Sequence, residues 1–238
     1  MSGHSKWNSI KHQKAANDKK KGAIFTRVSR NITLAAREGG GDPETNFKLK
    51  MAVDQAKAAN MPKDNVERAI KRGTGESNEG QLLEMTYEGY GPGGVAIIIT
   101  TITDNNNRTV SEVRSTLTKN GGSMADSGSV LWNFAQKGVI RLETGTTDKD
   151  ALELSAIEAG AEDLQSDNDG IAIITEPKNL QRLKEEIEKT GVAVEYAGME
   201  FVPQNTIDLP EGDKAKLEKL VDVLEELEDV NEVYTNES

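Results

Sequence analysis

Apolar residues in the first third of the chain recur at helical intervals. Between Ala23 and Glu38 they are Ile24, Phe25, Val28, Ile32 and Ala35, which predicts an amphipathic helix closed by Gly39-Gly40-Gly41. Asp42-Pro43 then predicts a second helix, with Asp42 as N-cap and proline in the first turn. Phe47, Leu49, Met51, Ala52, Val53 and Ala56 form its buried stripe, up to about Asn60. A third helix starts at Pro62, carries Val66, Ala69 and Ile70, and stops at Gly73. The polar, glycine-bearing stretch Gly73–Gly80 reads as a flexible linker.

Beyond it the period changes. Leu83–Tyr87 and Gly94–Thr103 read as strands, and Arg108–Lys119 as a helix ended by Asn120-Gly121-Gly122. Val130–Glu143 is strand-like and Asp148–Ala159 helical. A turn at Asp167–Gly170 leads into a strand, Ile171–Thr175. A helix follows over Lys178–Lys189, with Leu180, Leu183 and Ile187 on one face, then a strand over Val192–Val202. After Pro210, Leu217, Leu220, Val221, Leu224 and Leu227 mark the clearest helix, and a short strand covers Asn231–Thr235. Strands mixed with helices in this way predict an α+β fold of two sheets, each with helices on one face.

Only 4% of the 238 residues are aromatic and 35% hydrophobic, so the cores must be aliphatic and modest. The longest wholly apolar run, Val95–Ile99, falls far short of the roughly 20 residues that span a bilayer. The polar N-terminus lacks the apolar stretch of a signal peptide, and there is no cysteine for disulfides or zinc. A cytoplasmic, membrane-free protein is expected.

The overall charge of −11 argues against a nucleic-acid binder, but it is an average of two opposites. Residues 1–73 hold 16 basic and 7 acidic residues, a net of +9. The remaining 13 basic and 33 acidic residues give −20. Charge divided in this way is a signal in itself.

Most candidate chemistry fails on context. Gly89, Gly91 and Gly94 satisfy G-x-G-x-x-G, but the loop feeds a strand, not the helix a dinucleotide site needs, so a hairpin turn is expected. Asp167-Asn168-Asp169-Gly170 lacks the spacing of a calcium loop. Both histidines, His4 and His12, lie in the N-terminal arm, where no rigid catalytic or metal site can form around them. The acidic stretch around Glu225, Glu226, Glu228 and Asp229 reads as solvated surface. Nothing supports an enzyme, a cofactor or a metal.

The basic head carries the positive signal. Residues 1–22 read as an extended arm bearing Lys6, Lys11, Lys14, Lys19, Lys20 and Lys21. On the following helix, at about 100° per residue from Arg27, Arg30 and Arg37 fall near 300° and 280°. The apolar stripe centres near 100°, so the three arginines form a ridge opposite it, expected to be exposed. Phosphate neutralisation with counterion release is the chemistry implied. Trp7 can stack on an unpaired base or clip the arm to the body, and His4 and His12 can donate to phosphates or bases.

Several motifs together resemble the YebC/PmpR family across essentially the whole chain. They are Gly3-His4-Ser5-Lys6-Trp7, Lys21–Phe25, Gly39-Gly40-Gly41-Asp42-Pro43, Asn60–Asp64, Glu88–Gly94, Asp104–Thr109 and Gly128-Ser129-Val130. The resemblance implies an N-terminal helical domain (residues 23–77, after an arm of 1–22) and two ferredoxin-like α+β domains. The first of these would span 78–130 and 204–238, with the second, 131–203, inserted in it. It also implies a DNA-binding transcriptional regulator. The alternative is a ribosome- or rRNA-associated translation factor, and a third class is a scaffold whose acidic domains bind basic proteins.

Overall fold

In the computed structural model the described residues are 18–76, 80–143, 149–166 and 170–238. The fold is α+β: three N-terminal helices, then two antiparallel sheets each backed by helices, the second inserted within the first.

Helix α1 (Asp18–Gly39) packs against α2 (Phe47–Ala58) and α3 (Lys63–Gly73). Their core is aliphatic and small: Val28, Ile32, Ala35, Leu49, Ala52, Ala56, Met61 and Ala69. Helix α1 begins before the expected Ala23, so Lys19, Lys20 and Lys21 lie in its first turn and not in an extended arm. The second helix also starts later than expected. Asp42 accepts from the Glu44 amide in a turn, and Asn46 is the cap, its Oδ1 accepting from the Leu49 amide at 3.1 Å. Asn46 is buried, and its amide nitrogen donates to the Ala35 carbonyl, tying the cap to α1.

Gly73 is no part of a flexible linker. It ends α3 where that helix presses on α1, and a Cβ there would lie 2.3 Å from the Thr33 carbonyl oxygen. Glycine is required by close approach, and composition alone could not separate that from flexibility.

The middle sheet has the order β3-β1-β2-β8, from β1 (Leu83–Tyr90), β2 (Ala96–Thr103), β3 (Ser123–Met124) and β8 (Val230–Thr235). Strands β1 and β2 form the expected hairpin, with Tyr90 opposite Ala96. Gly93 and Gly94 take φ of 71° and 80° in its turn, conformations open to glycine. Helices α4 (Asn106–Lys119) and α7 (Glu211–Glu225) contribute Val113, Leu117, Leu217, Leu220 and Leu224 to the core beneath Ile97 and Ile99. Strand β2 is buried along its whole length, which explains its near-continuous run of β-branched residues.

The inserted domain is the compact unit Phe134–Gln204. It runs β4 (Phe134–Glu143), α5 (Lys149–Ala159), β5 (Ala161–Ser166), β6 (Gly170–Thr175), α6 (Leu180–Lys189), β7 (Val194–Pro203). This β-α-β-β-α-β path with sheet order β5-β6-β4-β7 is ferredoxin-like. Leu180, Leu183 and Ile187 of α6 are buried together, as their spacing predicts. On β4, Arg141 is buried in an ion pair with Glu200 and lies over the Tyr196 ring. Sequence reading missed β5, a polar edge strand half-buried at Ala161, Leu164 and Gln165 and exposed at its other positions.

Candidate nucleic-acid interface

The arm residues His4, Lys6, Trp7, Lys11, His12 and Lys14 lie outside the described residues. Lys19, Lys20 and Lys21 open α1. Of the three arginines farther along that helix, Arg37 is exposed as expected, but Arg27 and Arg30 are partly buried and do not stand on an open ridge. Helix α7 ends in acidic residues with no basic side chain in its last turn, an unfavourable arrangement at the negative end of a helix dipole. Helix α1 supplies the missing cations. Arg27 Nη2 donates to the Glu225 carbonyl at 2.8 Å. Arg30 Nη1 donates to the Glu228 carbonyl at 2.5 Å and lies 3.0 Å from Asp229 Oδ1, while its Nη2 is 3.1 Å from Glu228 Oε1. Arg37 donates to the Leu82 carbonyl.

Asp229, expected on a solvated face, is 2% exposed and gathers the joint. Its carboxylate accepts from Thr109 Oγ1 at 2.7 Å, Thr103 Oγ1 at 3.0 Å and Arg108 Nη2 at 2.8 Å, besides pairing with Arg30. Burial alone would raise the Asp229 pKa, but the two hydroxyls and two guanidiniums outweigh it and hold it below the ordinary value. The motif Asp104–Thr109 is thus a structural joint: Asn105 caps α4, and Arg108 and Thr109 hold Asp229.

A sequence signal for this docking was present but overlooked. On the same helical wheel Leu34 falls near 340°, between Arg27 and Arg30. It is buried against Leu82 and Ile102 of the middle domain. A leucine inside a basic ridge marks a packed face.

Besides Arg37, which is held on the Leu82 carbonyl, the exposed cations of the helical domain that make no ion pair among the described residues are Lys50, Arg68 and Lys71. The exposed Lys48, Lys57 and Lys63 pair with Glu38, Asp54 and Glu67 at the surface, contacts of roughly 0–1 kcal/mol that a phosphate can displace.

A second buried carboxylate organises the end of β1. Glu88 is 5% exposed and accepts from the Gly128, Val130 and Leu131 amides at 2.6, 2.7 and 2.8 Å. Burial pushes its pKa up, the three amides push it down, and the net shift is downward. Glu88–Gly94 and Gly128-Ser129-Val130, distant in sequence, are therefore one unit in space. Among the described residues no group of three or more His, Asp or Glu could hold a metal, and no helix is long and apolar enough to cross a membrane.

The geometry has counterparts in known proteins. Residues 5–76 match the family model described as the TACO1/YebC protein N-terminal domain, and residues 82–237 match that of the TACO1/YebC second and third domain. A protein of Caldanaerobacter subterraneus named "Probable transcriptional regulatory protein" is 51% identical over 99% of this chain and 98% of its own length. One of the same description from Thermotoga maritima is 51% identical, covering 99% of this chain and 93% of its own. The crystal structure of a conserved hypothetical protein from Aquifex aeolicus superposes with a TM-score of 0.88 at 44% identity, covering 94% of this chain and 93% of that one.

Proposed function

The chain belongs to the TACO1/YebC family, and we propose that it regulates gene expression in the cytoplasm by binding nucleic acid through its basic head, without catalysing a reaction. The observation that carries this reading is the division of charge, +9 over residues 1–73 against −20 over the rest. The relatives' description as transcriptional regulators supports DNA as the target.

The phosphate contacts fall to Lys6, Lys11, Lys14, Lys19, Lys20 and Lys21, with Lys50, Arg68 and Lys71 extending the surface. Arg27, Arg30 and Arg37 act at one remove, by fixing the head on the acidic body. Trp7 stacks on an unpaired base, and His4 and His12 donate to phosphates or bases. The acidic body is repelled by neighbouring phosphates and so limits the orientations in which the head docks.

One observation favours a second reading, a translation factor bound to ribosomal RNA. The solvent face of α3 carries Lys63, Asp64, Glu67, Arg68 and Lys71, charges suited to a backbone and not to base edges in a major groove. Binding to duplex DNA and cosedimentation with ribosomes, both at physiological salt, separate the two. Retention on DNA of defined sequence over random duplex supports transcription. Cosedimentation with ribosomes and no discrimination among duplexes overturns it in favour of translation. Indifference to both at low salt refutes nucleic-acid binding altogether.

A further inference from the structure

The acceptors that Arg27 and Arg30 meet on the body all lie in one short segment, Glu225–Asp229, at the end of α7. The segment offers two carbonyl oxygens and two carboxylate oxygens to two guanidiniums. A phosphate backbone offers the same thing, closely spaced anionic oxygens for the guanidinium fork. The two arginines share α1 with Lys19, Lys20 and Lys21, so the helix that opens with phosphate-binding lysines continues into cations held on an internal substitute for phosphate.

This contact can release without stranding a charge. The Glu228 side chain is 73% exposed, so water solvates it once Arg30 leaves. Asp229 is buried, but it keeps Arg108, Thr103 and Thr109 without Arg30. The apolar seam is small, Leu34 against Leu82 and Ile102. Among the described residues no helix of the head packs broadly on an element of the middle domain. Docking therefore leans on charge, and a polyanion competes for charge directly.

We propose that Glu225–Asp229 is a latch covering a second phosphate-binding site, made by Arg27 and Arg30. A nucleic-acid backbone that arrives on the lysines of the head displaces the latch, takes the two guanidiniums in exchange and frees the head from the body. The latch rests on the nucleic-acid reading above and adds a closed and an open state to it. By linkage, whatever opens the latch tightens binding, and binding opens the latch.

The chain has no cysteine, so cysteines placed at the exposed Ala58 of α2 and Ser115 of α4 take spin labels specifically. Their separation, measured by double electron–electron resonance in the full-length protein, follows the head against the middle domain. The probes are a short duplex DNA and an RNA hairpin. A probe that opens the latch should lengthen or broaden the separation, and a response to one probe alone identifies which backbone the latch answers to. Saturation by a probe with the separation unchanged for both overturns the proposal and leaves the nucleic-acid reading standing. No binding of either probe at low salt overturns that reading, and the proposal falls with it.

Glu228→Lys sets a cation against Arg30. Glu226→Lys makes the same change of charge at an exposed acid that forms no ion pair among the described residues. The first should bind the responding probe roughly fivefold or more tighter than the second. Equal affinities overturn the proposal. In the Glu228→Lys protein, Arg27→Gln with Arg30→Gln should make the slope of log affinity against log salt shallower by roughly 2 units. An unchanged slope means that the freed arginines meet no phosphate, which also overturns the proposal.

Discussion

Replacing Arg30 by glutamate sets a third carboxylate against Asp229 and Glu228, where the structure has a guanidinium 3.0 Å and 3.1 Å from them. Stranding a buried charge by removing its partner costs about 3–5 kcal/mol. Asp229 keeps Arg108, Thr103 and Thr109, so Arg30→Ala should cost less, about 2 kcal/mol. Glutamate adds repulsion: like charges about 4 Å apart interact by about 4 kcal/mol at an effective dielectric constant near 20. At roughly 2–4 °C per kcal/mol for a chain of this length, Arg30→Ala should melt about 4–8 °C early, and Arg30→Glu earlier still. Thermal melting followed by circular dichroism measures this. Amide exchange along α1 shows whether the head has detached. Arg68→Ala, an exposed cation of the same head, should stay within about 0.5 kcal/mol of the parent. A glutamate variant that melts with the parent and keeps its α1 amides protected would refute the docking of α1 on α7.

Other consequences follow from the same contacts. Glu88→Gln sets an amide group among three backbone donors and should cost about 2–3 kcal/mol, with faster amide exchange at Gly128, Val130 and Leu131. Gly73→Ala forces a methyl against the Thr33 carbonyl and should destabilise by about 1–3 kcal/mol, read as a lower melting temperature. Asp229 and Glu88 titrate below their ordinary values of 3.8 and 4.5, so their stabilisation is complete above those values. It is lost as pH falls through the depressed folded-state values. Asp229→Asn with Glu88→Gln should therefore flatten the fall of melting temperature on the acid side, and an unchanged profile would contradict the two assignments.

Much of the fold could be read in the sequence because periodicity reports local burial. Leu180, Leu183 and Ile187 share one face of α6 as their spacing requires, and β2 reads as a buried strand from its β-branched run. The insertion was legible only through the family resemblance, since no local pattern tells β8 to pair with β2 across the whole inserted domain. At the candidate site, periodicity placed Arg27, Arg30 and Arg37 correctly on one helix face, but whether that face meets water or another domain is a tertiary fact. Leu34 was the one local clue. Asp229 was missed for a related reason. Among Glu225, Glu226 and Glu228 it reads as one more surface acid, and only its partners Arg30, Thr103, Arg108 and Thr109, scattered along the chain, make it a buried hub.

The central claim is that the head binds phosphates through its lysines while its arginines hold it to the body. The most direct measurement is duplex-DNA affinity across a salt series, for the parent and for a full-length variant with Lys6, Lys11, Lys14, Lys19, Lys20 and Lys21 all changed to glutamine. If each lysine meets a phosphate, the slope of log affinity against log salt should become shallower by roughly 5 units. Equal slopes and equal affinities for the two proteins would contradict the claim.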